Sequence, residues 1–126
     1  MYQEGGIAYV YLCYGIHHLF NVVTAGANVP HAVLIRAAKP LVGVEVMLQR
    51  RGKKAADKTL LAGPGSLAKA LGINTTLTGC DLCGSSVWIE DLGNVIDPGA
   101  VTTGPRVGVD YALQDAARPY RFIARI

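Results

Sequence analysis

An α+β fold carried by a largely antiparallel sheet is what this sequence predicts, on three observations. The chain has 126 residues, enough for one domain with its own core and too few for two. Hydrophobic residues make up 51% and charged residues 17%, which is the composition of a packed chain. Segments with strand patterning come first and last, with two helical segments between them. That order segregates helices from strands and does not alternate them.

The elements follow in chain order. Residues 7–14 alternate and are rich in Val, Leu and Tyr, as a strand does. Gly15 is a turn residue and "HHLFNVVT" resumes as a second strand, so the two form a hairpin with Tyr14-Gly15 near its tip. "HAVLIRAA", 31–38, is a third strand, stopped by Pro40. Leu41, Val44, Met47 and Leu48 keep a helical rhythm over 41–51. A polar, basic linker, "RRGKKAADK", fills 50–58. "PGSLAKALGI" is a short helix, with Pro64 near its start and Gly72 where a left-handed C-terminal cap belongs. "SSVWIED", "PRVGVDYA" and "YRFIARI" are the remaining strands, parted by Gly, Pro and Asp turns. There is no internal repeat and no low-complexity tract.

Charge and cysteine content narrow the class. A net charge of +3 permits an anionic partner without demanding one. His17, His18 and Asn21 interrupt the best apolar run, so no membrane span is expected. "MYQEGGIAYV" has no basic n-region, which predicts no signal peptide. Three cysteines, an odd number, suit a reducing compartment, and a cytoplasmic bacterial protein is the expectation.

Chemistry is concentrated in "YVYLCYGIHHLFNVV", residues 9–23, where polar-tipped aromatics run through an apolar stretch. Tyr9 and Tyr11 lie two apart and share a strand face, as core aromatics or as a binding surface. Tyr14 falls at the turn, where it has no sheet face to bury against, and an exposed tip aromatic marks a contact surface. Arg36 sits inside "AVLIRAA", which suits either a groove-facing charge or an internal ion pair. Arg50, Arg51, Lys53 and Lys54 could neutralise phosphates or simply form a solvated face. "CDLC", Cys80 to Cys83, is half a zinc site at most, even with His17, His18 and His31 nearby in composition, so free thiols and no metal are expected. Asp81 and Asp110 read as turn and strand-end residues with no acid–base partner.

Together "AYVYLCYG", the Asn at 21, "VLIRAAKP", "GPGSLAKALGI", "VWIED" and "PRVGVDYA" followed by "PYRF" resemble the alkyladenine (3-methyladenine) DNA glycosylase family, in the family's order, across nearly the whole chain. The resemblance covers the family's C-terminal two-thirds. It implies a curved, open-barrel-like sheet, N-terminally truncated relative to the family. The family's Glu-Thr-Glu-Ala-Tyr type motif, with the general-base glutamate, lies upstream of Met1, so no catalytic residue is expected within these residues. Glu4 has no acidic role in the family.

By this resemblance Tyr14 is the side chain that intercalates into DNA when a damaged base is flipped out. Tyr11 matches the position that stacks on the flipped base, where a ring face attracts a cationic alkylated purine. Asn21 matches a pocket residue that reads the purine edge. Ile16 and His17 border the wedge in the groove, and Arg36 lies on the DNA side. Ser66 stands where many relatives have a basic residue, which would remove one phosphate contact, and Lys39 stands where relatives usually have an acid. The implied reaction is hydrolysis of an N-glycosidic bond by activated water, with no cofactor, on double-stranded DNA holding alkylated bases. Two other readings stay open: a non-catalytic module for damaged DNA, and a fragment of a split or misassigned gene. A shortened chain would also expose apolar surface through which copies self-associate.

Overall fold

In the computed structural model, residues 5–26, 31–107 and 118–126 are described. They belong to two compact units, Met1–Glu90 and Asp91–Ile126. Among them two antiparallel sheets and two α-helices give the α+β arrangement expected.

The first unit is organised by a hairpin. β1 (Ala8–Cys13) pairs antiparallel with β2 (His17–Val23), and β2 pairs with β3 (Ala32–Leu34). The register puts Ala8 opposite Val22 and Val10 opposite Phe20 on one face, and Tyr9 opposite Asn21 and Tyr11 opposite Leu19 on the other. The apolar face is the core. Ala8, Val10 and Phe20 pack with Leu67 and Ala68 of α2 (Pro64–Leu71) and with Ile73 and Leu82. A second cluster, Met47, Leu60, Leu61 and Ala70, fastens α1 (Val44–Arg51) to α2.

Side chains and carbonyls close the ends and edges. The Arg50 guanidinium donates to Ala70 O at 3.1 Å, near the C-terminal end of α2, and Arg51 donates to Thr59 O and Leu60 O. Lys53 pairs with Asp57 at 3.2 Å. Asp57 also accepts from the hydroxyl and backbone N–H of Thr59; chiefly that hydroxyl bond lowers its pKa from 3.8 to about 2. This carboxylate therefore favours the folded chain above its ordinary value, and the contribution fades as pH falls through about 2. The 50–58 run is thus largely internal wiring. The outer edge of β1 is covered by residues 78–82: Ala8 N–H donates to Cys80 O, Gly79 N–H to Ala8 O, and Leu82 N–H to Gly6 O. Thr78 clamps the same edge twice, accepting from Val10 N–H at 2.9 Å and donating to Val10 O at 2.8 Å.

That cover explains one correction. Residues 85–91, expected as a strand, form none; only Ile89 N–H reaches a neighbouring carbonyl, that of Leu82, and Trp88 and Ile89 are each 55% exposed. A β-prone composition makes no ladder when the edge it would extend is occupied. The third strand is likewise shorter than 31–38. After Ile35 N–H donates to Phe20 O, the chain leaves β2, and Ala37 pairs instead with Ala62. The first helix starts at Val44, three residues later than its apolar rhythm suggested, because Gly43 takes a φ of 78° and breaks the turn. Leu41 and Val42 are left exposed.

In the second unit, β4 (Val101–Gly104) pairs antiparallel with β5 (Arg121–Ala124), after a 3-10 turn over Pro98–Ala100 that Asp97 caps. β5 lies within the strand expected at 120–126. β4 has no counterpart in the sequence reading, and residues 105–107 are not strand. The rest of the expected 105–112 strand, Asp110 and Glu4 lie outside the described residues.

The Thr78 clamp carries a stability test. Thr78→Val keeps shape and removes both bonds to the backbone of buried Val10, so unfolding free energy should fall by about 1–3 kcal/mol. Urea unfolding measures it, and Thr78→Ser should recover most of the loss.

Candidate nucleic-acid interface

The tip of the β1–β2 hairpin is built from Tyr14, Gly15 and Ile16, with Cys13 and His17 as the last pair below it. Ile16 N–H donates to Cys13 O at 3.1 Å, closing the turn. Tyr14 and Gly15 have φ of 52° and 70°, the pair of positive values that a type I′ turn carries. Tyr14 is the one non-glycine residue with positive φ among the described residues. Its side chain is 91% exposed, and Ile16 beside it is also exposed. A bulky residue in the left-handed region costs of order 1–3 kcal/mol, and such strain clusters at functional sites.

Below the tip, the hairpin face opposite Val10 and Phe20 carries Tyr9, Tyr11 and Asn21, and it is itself covered at its lower end, where Asn21 and Val23 are buried. Tyr9 and Tyr11 rings meet at 5.8 Å between centroids with planes 38° apart. Tyr11 stays 39% exposed, so its ring is not fully spent on packing. Asn21 is 7% exposed, the buried polar residue among the described residues, and its amide donates to Leu19 O at 3.3 Å. Sequence reasoning placed Tyr9 and Tyr11 on one face, and strand pairing adds Asn21 to it.

His17 and Arg36 lie near the start of α2. A methyl group built on Gly65 would meet His17 Nδ1 at 2.8 Å, so the imidazole rests on the first turn of the helix. Antiparallel pairing of Ala37 with Ala62 puts Arg36 opposite Gly63, the residue before α2. Arg36 is half-buried, and the internal ion pair that its position allowed is absent: among the described residues the ion pair is Lys53–Asp57. Ser66 lies in the first turn of α2, and Lys39 is exposed.

The "CDLC" stretch is a turn, in which Cys83 N–H donates to Asp81 Oδ1 at 2.8 Å. Cys83 is exposed and Cys80 half-buried, both as free thiols. Among the described residues no three His, Cys, Asp or Glu side chains gather as metal ligands, and no helix is long and apolar enough to cross a membrane.

The profile of the methylpurine-DNA glycosylase family matches residues 1–125. The chain belongs to that family. A Chlamydia felis relative named "Putative 3-methyladenine DNA glycosylase" is 43% identical over the whole chain and 64% of its own length. The "DNA-3-methyladenine glycosylase" of Arabidopsis thaliana is 44% identical over 91% of this chain and 45% of its own. A Methanocella arvoryzae relative is 42% identical over 97% of the chain. The chain thus spans about three-fifths of the bacterial and archaeal relatives it matches. Within this glycosylase family member, the residues singled out by resemblance collect on one hairpin and the helix start beside it. What sequence reasoning missed is the close approach of His17 to Gly65, which neither the strand pattern nor the helix pattern signals.

The strain at Tyr14 gives a test that separates stability from function. Tyr14→Gly relieves the left-handed penalty, so the urea midpoint should hold or rise despite the loss of a large side chain. A drop of more than about 1 kcal/mol would show that the ring packs in the fold.

Proposed function

We propose that this chain is the lesion-reading part of a glycosylase that hydrolyses the N-glycosidic bond of alkylated purines, of the 3-methyladenine type, in double-stranded DNA. The observation that carries the reading is Tyr14, a strained, almost fully exposed aromatic at the apex of a hairpin whose outer face holds Tyr11 and Asn21. A flipped base leaves a gap in the stack, and an aromatic at a rigid tip fills it. Tyr11 presents a ring face to a cationic base, and the Asn21 amide reads the purine edge. Ile16 and His17 line the groove beside the wedge, and Arg36 meets the backbone. The family profile runs across both compact units, which supports reading them as parts of one domain.

The general base is a glutamate outside these 126 residues. Four of the described carboxylates support this, because Asp57, Asp81, Asp91 and Asp97 each accept a backbone N–H in a turn. The two described glutamates, Glu45 and Glu90, are exposed. The cationic base is already a good leaving group, so catalysis rests on placing water and stabilising an oxocarbenium-like sugar. No organic cofactor or metal enters this scheme.

Tyr14→Ala should weaken binding to duplex holding an abasic-site analogue by roughly 5- to 150-fold, the worth of one base–aromatic stack, and change binding to intact duplex little. Equal loss on both duplexes returns Tyr14 to another role. Assayed alone, these 126 residues should release no measurable 3-methyladenine, since lost base catalysis removes about 10²–10⁴ and lost positioning more. Excision by this chain alone would mean that one of its own carboxylates serves as base. With the glutamate-bearing segment added, borohydride should trap no protein–DNA adduct; a trapped adduct would mean that a lysine attacks as nucleophile.

A further inference from the structure

The wedge needs a fixed angle as well as an aromatic, and the structure shows what fixes it. His17 is the base of the tip, paired with Cys13, the residue directly before Tyr14. Its imidazole lies on Gly65, where an added Cβ would fall 2.8 Å from Nδ1, 3.1 Å from Cγ and 3.3 Å from the His17 Cβ. Rotating the ring moves Nδ1 away but leaves the Cβ where the backbone holds it. Relief beyond that rotation takes a give of a few tenths of an ångström between the hairpin base and the helix. The helix is the stiffer partner, because Leu67 and Ala68, two and three residues on, are fully buried in the core with Val10 and Phe20.

Glycine at this helical position also runs against local preference, since Ala is the better helix former and no positive φ demands Gly65. Its small size is what the contact uses. We infer that Gly65 is a positioning residue: its missing side chain seats His17 on the first turn of α2 and so sets the angle at which Tyr14 leaves the hairpin. This rests on the wedge reading of Tyr14 proposed above, and it assigns to Gly65 and to the His17 ring a role apart from any contact with DNA.

The test is a double-mutant cycle of Gly65→Ala and His17→Ala in the full chain, with two readouts. One is hydrogen exchange at the Ile16 amide, which closes the tip turn, in the free protein. The other is the ratio of affinities for abasic-analogue and intact duplex. Gly65→Ala should speed Ile16 exchange and lower the affinity ratio by about tenfold, a mid-range coupling for residues in contact, while Leu67 and Ala68 amides stay protected. In the His17→Ala background the same substitution should change either readout less than about twofold. Equal effects in both backgrounds, or none in the parent, overturn the inference.

Should Gly65→Ala fail to fold, His17→Ala compared with His17→Phe decides. The seat requires faster Ile16 exchange with Ala and near-parent exchange with Phe, and parent-like exchange in His17→Ala overturns it. The exchange readout involves no DNA, so it separates the two proposals. Coupling in exchange with Tyr14→Ala equal on both duplexes removes the wedge and keeps the seat, whereas a working wedge without coupling removes the seat alone.

Discussion

The register of one hairpin governs the first unit. With Val10 opposite Phe20, one set of alternates packs with Leu67 and Ala68 of α2, and the other set carries Tyr9, Tyr11 and Asn21 on the opposite face, with His17 at its tip end reaching the helix start. Because side chains alternate with period two, a slip of one residue would turn the tyrosines into the core and Val10 and Phe20 outward. The turn defends against that slip. Tyr14 and Gly15 both hold positive φ, and the Ile16 to Cys13 bond ties the loop length to the pairing below it. The same few atoms therefore specify which alternates enter the core and which form the opposite face.

Such a hairpin needs support at its edges and its base, and the support comes from distant sequence. Thr78 and residues 79–82 occupy the outer edge of β1, which would otherwise present free backbone groups to other chains. α2 supports the other flank, packing Leu67 under the sheet and Gly65 against His17. α2 is itself held by Arg50 at its far end and by the Met47, Leu60, Leu61 and Ala70 cluster. A strained tip is tolerable when its surroundings over-determine it, and here three separate segments do so.

How much of this was legible in the sequence follows from which forces are local. The hairpin and its tip were readable, since alternation and a turn glycine are short-range signals. So was α2, with Pro64 and Gly72 at its ends. The strand at 85–91 misled because propensity says nothing about whether an edge is free, and Thr78 takes that edge from across 68 residues. The late start of α1 was missed because the apolar rhythm at Leu41 outweighed the glycine at 43. At the site, Tyr11, Tyr14 and Asn21 came from family resemblance joined to strand geometry. The Gly65–His17 contact was illegible, since it joins a strand start to a helix start and neither pattern mentions the other.

The positive charges differ in whether the fold spends them. In the Met1–Glu90 unit the half-buried Arg and Lys side chains are Arg36, Arg51 and Lys53. Arg51 spends its guanidinium on the carbonyls of Thr59 and Leu60, and Lys53 spends its ammonium on Asp57. Neither can be redirected to a phosphate without loosening the loop that it ties. Arg36 has no hydrogen bond or ion pair among the described residues, although partial burial removes some of its water. A partly desolvated cation left without an internal partner is stabilised by an anion from outside. Its register opposite Gly63 puts that demand beside the helix start on which His17 rests. In the basic run at 50–58, which looks like the stronger phosphate site in sequence, Arg50, Arg51 and Lys53 are consumed in holding the fold, and Arg36 is the half-buried charge of this unit without such a bond among the described residues.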